Sequence, residues 1–236
     1  MSNKTGTRIF ELQKFRDQVH VFRDRAFAGK VLADMLKEFR NRNAIVMAIP
    51  AGGVAVGAVI AKELNLPLDV AVVSKITLPW NSEAGYGAVA FDGTVKLNQE
   101  FLSHLNLNEK EIQQGIEKTT QKINRRVKMF RGNRPLPNFS QNTIILADDG
   151  LASGFTLLVA IEALRKAGCQ HIILAVPTAH QESIRRIMGK VEAIYCPNLR
   201  GGLSFAVADA YEHWRDLDEE EVKKILADFN ADSKKD

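Results

Sequence analysis

Residues 143–156 read TIILADDGLASGFT, an apolar run that ends in two acids and a turn of small residues. The apolar run, 143–146, is too short and too β-branched for a helix and therefore predicts a buried strand. After Thr156 the sequence LLVAIEALRKAG has apolar side chains at helical spacing, and Gly168 is placed to end the helix. The stretch predicts a strand, an acidic pair, a tight loop and a helix, in that order.

The loop and the acids of this stretch suit different parts of one ligand. Ser153, Gly154 and Thr156 offer hydroxyls and an open backbone at a helix N-terminus, where free N–H groups and the helix dipole favour a phosphate. Asp148 and Asp149 cannot serve that phosphate, but two adjacent carboxylates can accept hydrogen bonds from sugar hydroxyls or hold a divalent cation. The site therefore suits a sugar phosphate. The alternative is that Asp-Asp-Gly is turn chemistry that only caps the helix.

This arrangement resembles the signature of the type I phosphoribosyltransferases, which is an apolar strand, two acids and a Ser/Thr-Gly-x-Thr phosphate loop. In this sequence the strand is 144–146, the acids are Asp148 and Asp149, and the loop is 153–156. Acids, loop and both flanking elements agree with the signature in order and spacing. The resemblance implies an α/β fold with a mostly parallel sheet flanked by helices, a flexible loop and a small C-terminal hood.

The rest of the chain suits one domain of this type over residues 1–236. We expect an N-terminal arm at 1–21, an α/β core at 22–195, and a hood with a terminal helix at 196–236. The arm has no clear period and would be extended or a short helix against a partner. Apolar periodicity and cap residues predict helices at 22–39, 54–64, 108–131, 178–188 and from 218, and further strands at 44–49, 69–73, 171–176 and 191–195.

The resemblance also implies a reaction. The enzyme would use Mg²⁺ and transfer the 5-phosphoribosyl group of 5-phosphoribosyl 1-pyrophosphate (PRPP) to a nitrogenous acceptor, with release of pyrophosphate. Asp148 and Asp149 would be catalytic, stabilising the ribose as positive charge develops and holding Mg²⁺ directly or through water. Such enzymes serve nucleotide metabolism, and the family implies a homo-oligomer, a dimer. The 5′-phosphate would lie on Ala152, Ser153, Gly154, Phe155 and Thr156.

A second junction, Pro50-Ala51-Gly52-Gly53, resembles the pyrophosphate-binding loop of this family. Two glycines where a strand meets a helix let the backbone approach an anion closely, although an ordinary tight turn would use them as well. The family often has a cation before the glycines, whereas this chain has Ala51, so pyrophosphate would rest on backbone N–H groups and on cations from elsewhere. One such cation is Lys75, after the strand predicted to end at 73; a merely solvated lysine is the alternative.

Two less regular segments would frame the substrate. Residues 76–97 contain Pro79 and three glycines and predict a long loop. In the family the corresponding segment is a flexible hairpin that closes over the site and excludes water. Residues 197–206 correspond to the hood over the acceptor base, with core packing as the alternative for its large side chains. The expected contributors are Trp80, Glu83 and Tyr86 in the loop and Leu203, Phe205 and Tyr211 in the hood.

One departure from the family pattern bears on the acceptor. Members that use 6-oxopurines usually have an aspartate immediately before the Ser/Thr-Gly of the phosphate loop, and this chain has Ala152 there. The resemblance therefore disfavours hypoxanthine, guanine and xanthine. Adenine-like, orotate-like and uracil-like bases, or a non-base amine, stay open as acceptors.

The composition excludes several other classes of protein. The net charge of the 236 residues is +4, and lysine and arginine are scattered among acids, so nucleic acid binding is not implied. Cys169 and Cys196 are far apart and form no C-x-x-C pair. The first residues lack the apolar stretch of a signal peptide, and no run approaches membrane-spanning length. We therefore expect a cytoplasmic protein with no membrane partner, acting on PRPP and a small nitrogenous acceptor.

Two other functions remain as alternatives. A PRPP-binding regulatory protein would keep the fold and lack transferase activity, so it predicts PRPP binding without turnover. A dinucleotide-binding oxidoreductase would rest on residues 52–57, GGVAVG, which imitate the dinucleotide fingerprint only loosely. It predicts nicotinamide binding that is indifferent to Asp149→Asn, whereas transfer requires that substitution to abolish activity.

Overall fold

The structure is a computed structural model that describes residues 6–202 and 204–232, with all of their side chains except those of Ser82 and Glu83. The strands are β1 (Arg8–Phe10), β2 (Ala44–Ala48), β3 (Leu68–Val70), β4 (Val73–Leu78), β5 (Asn81–Ala90), β6 (Val95–Leu97), β7 (Thr143–Ala147), β8 (His171–Ala175), β9 (Thr178–His180), β10 (Ala193–Tyr195) and β11 (Asn198–Arg200). The helices are α1 (Arg25–Met35), α2 (Gly52–Leu64), α3 (Gln99–Leu102), α4 (Glu109–Arg131), α5 (Phe155–Lys166), α6 (Gln181–Ile187) and α7 (Glu219–Asp232).

Six strands form a central sheet in the order β1-β10-β8-β7-β2-β3, and each is parallel to its neighbours. On β7, Ile144 and Leu146 pack with residues of α5 and α6, whereas Ile145 and Ala147 pack with residues of α1, α2, α4 and α7. Because helices cover both faces, these strands are continuous apolar runs rather than alternating ones. The predicted α/β class with a mostly parallel sheet between helices is confirmed.

The long helix α4 begins and ends where its cap residues predict. The Asn108 side chain accepts a hydrogen bond from the Glu111 N–H at 3.0 Å, and the Glu111 carboxylate accepts one from the Asn108 N–H at 2.9 Å. Gly132 follows the last turn with φ of 65°, which glycine adopts without steric cost. The terminal helix α7 likewise begins after Asp218, and its Val222 and Leu226 are buried in the core beside α4 and α2. Within residues 6–202 and 204–232, no helix combines the length and the hydropathy needed to cross a membrane.

Residues 69–97 differ from the prediction. The strand of the central sheet ends at Val70, and β4, β5 and β6 then form a separate three-stranded antiparallel sheet, so 76–97 is not the irregular loop that its glycines suggested. Ile76, Leu78 and Tyr86 are buried against the core, whereas Lys75 is exposed. Three glycines and a proline conceal this two-residue period in the sequence.

The described part of the N-terminal arm, residues 6–21, contributes an edge strand to the central sheet. Strand β1 pairs in parallel with β10 at the edge of the central sheet, and the Phe10 ring stacks on Tyr195 with centroids 4.5 Å apart. Farther along, Phe22 is fully buried beside Tyr211. Three-residue edge strands offer too few positions for a period, which is why no strand signal is visible in this part of the sequence.

The helix predicted to begin at Thr178, as its cap residue, begins three residues later at Gln181. Thr178 lies in β9 and donates its hydroxyl to Asn198 at 2.6 Å, across a two-stranded parallel sheet formed by β9 and β11. Helix α6 begins after His180, which makes no side-chain cap hydrogen bond. A cap requires a free side chain, and the strand pairing has already used that of Thr178.

Candidate active site

The two predicted loops meet at the carboxyl edge of the central sheet. They follow β2 and β7, which are paired in register from Ala44 beside Thr143 to Ala48 beside Ala147. The pairing continues past the strands, since the Ile49 N–H donates to the Ala147 carbonyl at 2.9 Å. Parallel neighbours place their next residues at one edge, where ligands bind in open α/β sheets.

The glycines of the first loop are required by the acids of the second. A Cβ atom on Gly52 would stand 1.7 Å from Oδ2 of Asp149, and one on Gly53 would stand 2.9 Å from Cα of Asp148. A side chain at Gly52 would displace the Asp149 carboxylate, and one at Gly53 would displace the backbone of the acidic loop. The peptide bond between Pro50 and Ala51 is cis. The predicted glycine turn is therefore a surface moulded against the acidic pair.

The acidic pair is held by neighbours on both sides. The Asp149 N–H donates to Oδ1 of Asp148 at 2.9 Å, and Oδ2 of Asp149 accepts a hydrogen bond from Nε of Arg25 at 2.8 Å. Burial raises the pKa of Asp148 well above its usual range, and the charge of Asp149 raises it further. Burial also raises the pKa of Asp149, whereas Arg25 lowers it. The two carboxylates thus lie at an edge where a second cation would relieve their repulsion.

Arg25 is the residue of this site that the sequence did not reveal. Arg25 lies in the first turn of α1, and the whole residue is only 8% exposed. Its Nη1 donates to the Arg215 carbonyl at 2.8 Å. The guanidinium lies over the Trp214 ring, 4.0 Å from its centroid. Asp24 caps α1 and marks where the helix starts, but no local signal shows that this turn would reach the acids 124 residues later.

The loop predicted to bind phosphate lies between β7 and α5. Gly154 adopts φ of 76° immediately before α5, so the loop from Ala152 to Thr156 presents backbone at the helix N-terminus. The Phe155 N–H lies 3.4 Å from Oγ of Ser153, which is a weak contact. The Arg186 guanidinium donates to the Ser153 carbonyl at 3.1 Å and brings a cation to the loop that the sequence did not indicate.

The other predicted side chains are not all gathered at this edge. Lys75 lies within β4 of the antiparallel sheet and not at the end of a central strand, because the central strand stops at Val70. Trp80 is 65% exposed next to the turn between β4 and β5. Tyr86 is 1% exposed, and its hydroxyl lies 2.0 Å from where a Cβ on Gly115 of α4 would stand. Tyr86 therefore packs against α4 and not toward an open substrate, and the side chain of Glu83 lies outside the described part.

The predicted hood residues Tyr211 and Phe205 lie in different surroundings. Tyr211 is buried, its ring packs on Phe22, and its hydroxyl donates to the Asp149 carbonyl at 2.6 Å, so it supports the acidic loop and offers no face for a base. This overturns its prediction as a stacking residue. Phe205 is half-buried, with its ring centroid 5.6 Å from that of His180. Leu203 lies outside the described residues.

The donors at this edge are compatible with a magnesium ion that also binds substrate. In the described ranges, 6–202 and 204–232, no group of three or more His, Cys, Asp or Glu side chains is arranged to hold a metal ion by itself. Mg²⁺ commonly binds through one or two carboxylates and completes its shell with water and substrate phosphates. Asp148 and Asp149 supply two such carboxylates.

Comparison with known proteins identifies relatives of this chain. Residues 91–212, just over half of the chain, match the family model described as phosphoribosyl transferase domain. Two Mycobacterium tuberculosis proteins, from strains CDC 1551 and H37Rv, are provisionally named as phosphoribosyl transferases, and each is 31% identical over 87% of this chain. The chain spans 46% of the length of these curated relatives. The crystal structure of TT1426 from Thermus thermophilus has a TM-score of 0.68 and 29% identity, covering 88% of this chain and 98% of that one.

Proposed function

Because this chain belongs to the phosphoribosyl transferase domain family, we propose that it transfers the 5-phosphoribosyl group of PRPP to a nitrogenous acceptor and releases pyrophosphate. The observation that carries the proposal is the meeting of three parts at one sheet edge. An acidic pair, a phosphate loop with an open helix N-terminus, and a glycine loop moulded against the acids lie after neighbouring strands. PRPP has a matching set of three groups: ribose hydroxyls, a 5′-phosphate and a pyrophosphate.

Each part would recognise one group of PRPP. The residues from Ala152 to Thr156 would bind the 5′-phosphate, since the N-terminus of α5 and the Arg186 side chain nearby both favour an anion. Asp148 and Asp149 would accept hydrogen bonds from the ribose hydroxyls. The backbone at Gly52 and Gly53 would approach the pyrophosphate.

Magnesium fits the same edge. Asp148 and Asp149 would hold the ion, directly or through water, and its charge would offset the repulsion between two half-buried carboxylates. When bound, Mg²⁺ neutralises charge on the departing pyrophosphate.

The chemistry asked of the protein itself is mainly positioning. The bond between ribose C1 and the pyrophosphate oxygen breaks, a bond between C1 and the acceptor nitrogen forms, and the proton of the acceptor leaves to solvent. The acids, held by Arg25 and by the Tyr211 hydroxyl under the loop, would stabilise positive charge on the ribose. Fixing both reactants in one geometry lowers the barrier without a covalent intermediate on the protein.

The acceptor is the finer part of the proposal. Ala152 stands where family members specific for 6-oxopurines usually have an aspartate, so we propose a different acceptor: an adenine-like, orotate-like or uracil-like base, or an amine. We also propose a homodimer, which sedimentation of the purified chain would test against a monomer.

The test is pyrophosphate release from Mg²⁺-PRPP in the presence of separate purines, pyrimidines and small amines. We expect release with one class of acceptor and none with the Asp149→Asn variant. Asp34→Asn is the matched control, because Asp34 is an exposed acid on α1. PRPP binding by calorimetry without release in any mixture would replace transfer with a regulatory role. Absence of PRPP binding would overturn both.

A further inference from the structure

The glycine loop lacks a cation of its own. Its side chains are a proline ring, the methyl group of Ala51 and two glycine hydrogens, while a pyrophosphate carries several negative charges. Backbone N–H groups contribute partial charges only. Lys75, the cation expected for this role, lies in β4 of the antiparallel sheet. The loop therefore needs positive charge from another part of the chain.

Arg25 touches both loops of the site. Its Nε lies 2.8 Å from Oδ2 of Asp149 and 2.9 Å from where a Cβ on Gly52 would stand. The three atoms nearest that position are Oδ2 and Cγ of Asp149 and Nε of Arg25, so no other cation in the described residues lies closer to it. The guanidinium thus occupies the seam between the acidic pair and the glycine loop.

The guanidinium is held in place while part of it stays available. Nη1 donates to the Arg215 carbonyl at 2.8 Å, and the Trp214 ring lies against the guanidinium plane. Among the described residues, Nη2 has no hydrogen-bond partner. Arg25 and Ala55 also line a cavity of about 470 Å³, which borders the first turn of α2 and does not include residues 50–53 in its lining. A fixed guanidinium with a free N–H edge is suited to phosphate oxygens.

We propose that Arg25 supplies the cation of the pyrophosphate site, donating from Nη2 to the pyrophosphate group bound at the glycine loop. The inference rests on the proposed function and adds a residue from a helix, 27 positions before Gly52. Its ion pair with Asp149 would fix the guanidinium beside the site, and Trp214 and the Arg215 carbonyl would fix it from the side of the hood. A guanidinium that served only to orient Asp149 would affect ribose binding at least as strongly as pyrophosphate binding, because Asp149 is the residue assigned to the ribose hydroxyls.

The test compares two probes on the full chain by calorimetry in Mg²⁺ buffer. Inorganic pyrophosphate carries the group in question, and ribose 5-phosphate carries the rest of PRPP. Arg25→Met should weaken pyrophosphate binding by about ten- to hundred-fold, the range for losing a hydrogen bond to a charged group, and change ribose 5-phosphate binding less than about twofold. Arg25→Lys should restore part of the pyrophosphate affinity. Arg23→Met, which removes an exposed arginine two residues away, should change neither.

A second pair of variants leaves Arg25 itself intact. Ala55→Glu introduces a carboxylate into the cavity beside the guanidinium, and Ala55→Gln is its neutral match. The glutamate variant should bind pyrophosphate about fivefold more weakly than the glutamine variant, because its carboxylate competes for Nη2.

The outcomes separate this inference from the proposed function. Unchanged pyrophosphate affinity in Arg25→Met, or equal affinities in the two Ala55 variants, would overturn the role of Arg25 while transfer from PRPP stands. Equal weakening of both probes would reduce Arg25 to a residue that orients Asp149. A wild-type chain that binds neither PRPP nor pyrophosphate would overturn the proposed function and the inference together.

Discussion

The two strand-to-helix junctions of this site carry opposite kinds of information. The junction at residues 148–156, after β7, presents two carboxylates and two hydroxyls in nine residues, whereas the junction at residues 50–53, after β2, has no side chain larger than that of its proline. They are neighbours in the sheet, and Asp149 fills the space in which a Cβ of Gly52 would lie. We call residues 148–156 the full junction and residues 50–53 the empty junction. Because the Asp149 side chain of the full junction lies against Gly52 of the empty one, we expect the site to fail when either is changed.

Among substitutions that leave both acids in place, the largest effect on rate should come from filling the empty junction. Gly52→Ala places a methyl group 1.7 Å from the Asp149 carboxylate, so the acid or the loop must shift by an ångström or more. A misplacement of that size costs about a hundred-fold in rate, and we expect kcat/KM for PRPP to fall by about that factor. Steady-state assays of pyrophosphate release would measure it. Gly6→Ala is the control, since a Cβ there meets no atom within 4 Å; equal activities in the two variants would contradict the moulded fit.

The full junction could be predicted because its chemistry lies in consecutive side chains. The acids, the Ser-Gly-x-Thr loop and the helix after them were each visible in one short stretch, and the structure has them in that order. The empty junction was ambiguous, because Gly-Gly is also the composition of an ordinary turn. Its function depends on Asp149, about 100 residues away, and no local pattern contains that contact.

The errors have the same physical origin. Arg25 and Tyr211 both contact the acidic loop, although they lie near opposite ends of the sequence. The sequence showed Arg25 only as part of a helix and predicted that Tyr211 would stack on the acceptor base. The antiparallel sheet was missed because glycines interrupt its period. Where neighbours in sequence decide a structure, as in the capping box of α4, the prediction was confirmed; where contacts between distant segments decide it, the sequence alone was insufficient.

The second largest effect concerns what holds the acids. Burial raises the pKa of Asp149 too, but Asp149→Asn also takes the counter-ion from buried Arg25, whose guanidinium cannot lose its charge by giving up a proton. We expect the free energy of unfolding to fall by about 2 kcal/mol, the scale of a hydrogen bond between charged groups. Urea denaturation at pH 7 measures this value, with Asp34→Asn on the surface of α1 as the control. A variant as stable as the wild type would show that the ion pair contributes nothing to the fold.

Asp148 should respond in the opposite direction. In the described part of the chain no cation forms an ion pair with it, and burial together with the charge of Asp149 raises its pKa, a rise that the charge of Arg25 only partly offsets. A carboxyl group whose pKa is higher in the folded chain than in the unfolded chain destabilises the fold once it is ionised. Asp148→Asn keeps an oxygen for the Asp149 N–H and should stabilise the protein by about 1 kcal/mol at pH 7 while pyrophosphate release is lost.

The pH dependence of that gain tests its cause. The stabilising preference for the protonated form is complete below the pKa of the unfolded chain, near the usual aspartate value of 3.8, and is lost as the pH rises through the raised pKa of the folded state. The difference in unfolding free energy between Asp148→Asn and wild type should therefore be largest at neutral pH and vanish toward pH 4. A difference that stays constant across this range would attribute the gain to packing and not to the buried charge.

The smallest effect should distinguish a ligand loop from a helix cap. If the hydroxyl of Ser153 existed to cap α5, Ser153→Ala would cost about 1 kcal/mol of unfolding free energy, as cap removal usually does. The contact from the Phe155 N–H to that hydroxyl is 3.4 Å long, and Gly154 makes no side-chain cap, so we expect less than about 0.5 kcal/mol. Asn108→Ala provides the comparison, because Asn108 caps α4 with reciprocal bonds of 2.9 and 3.0 Å and should cost the full amount. Equal losses of unfolding free energy in the two variants would show that the Ser153 hydroxyl caps the helix. A small loss for Ser153→Ala, combined with weaker ribose 5-phosphate binding, would show that this hydroxyl of the full junction binds the ligand.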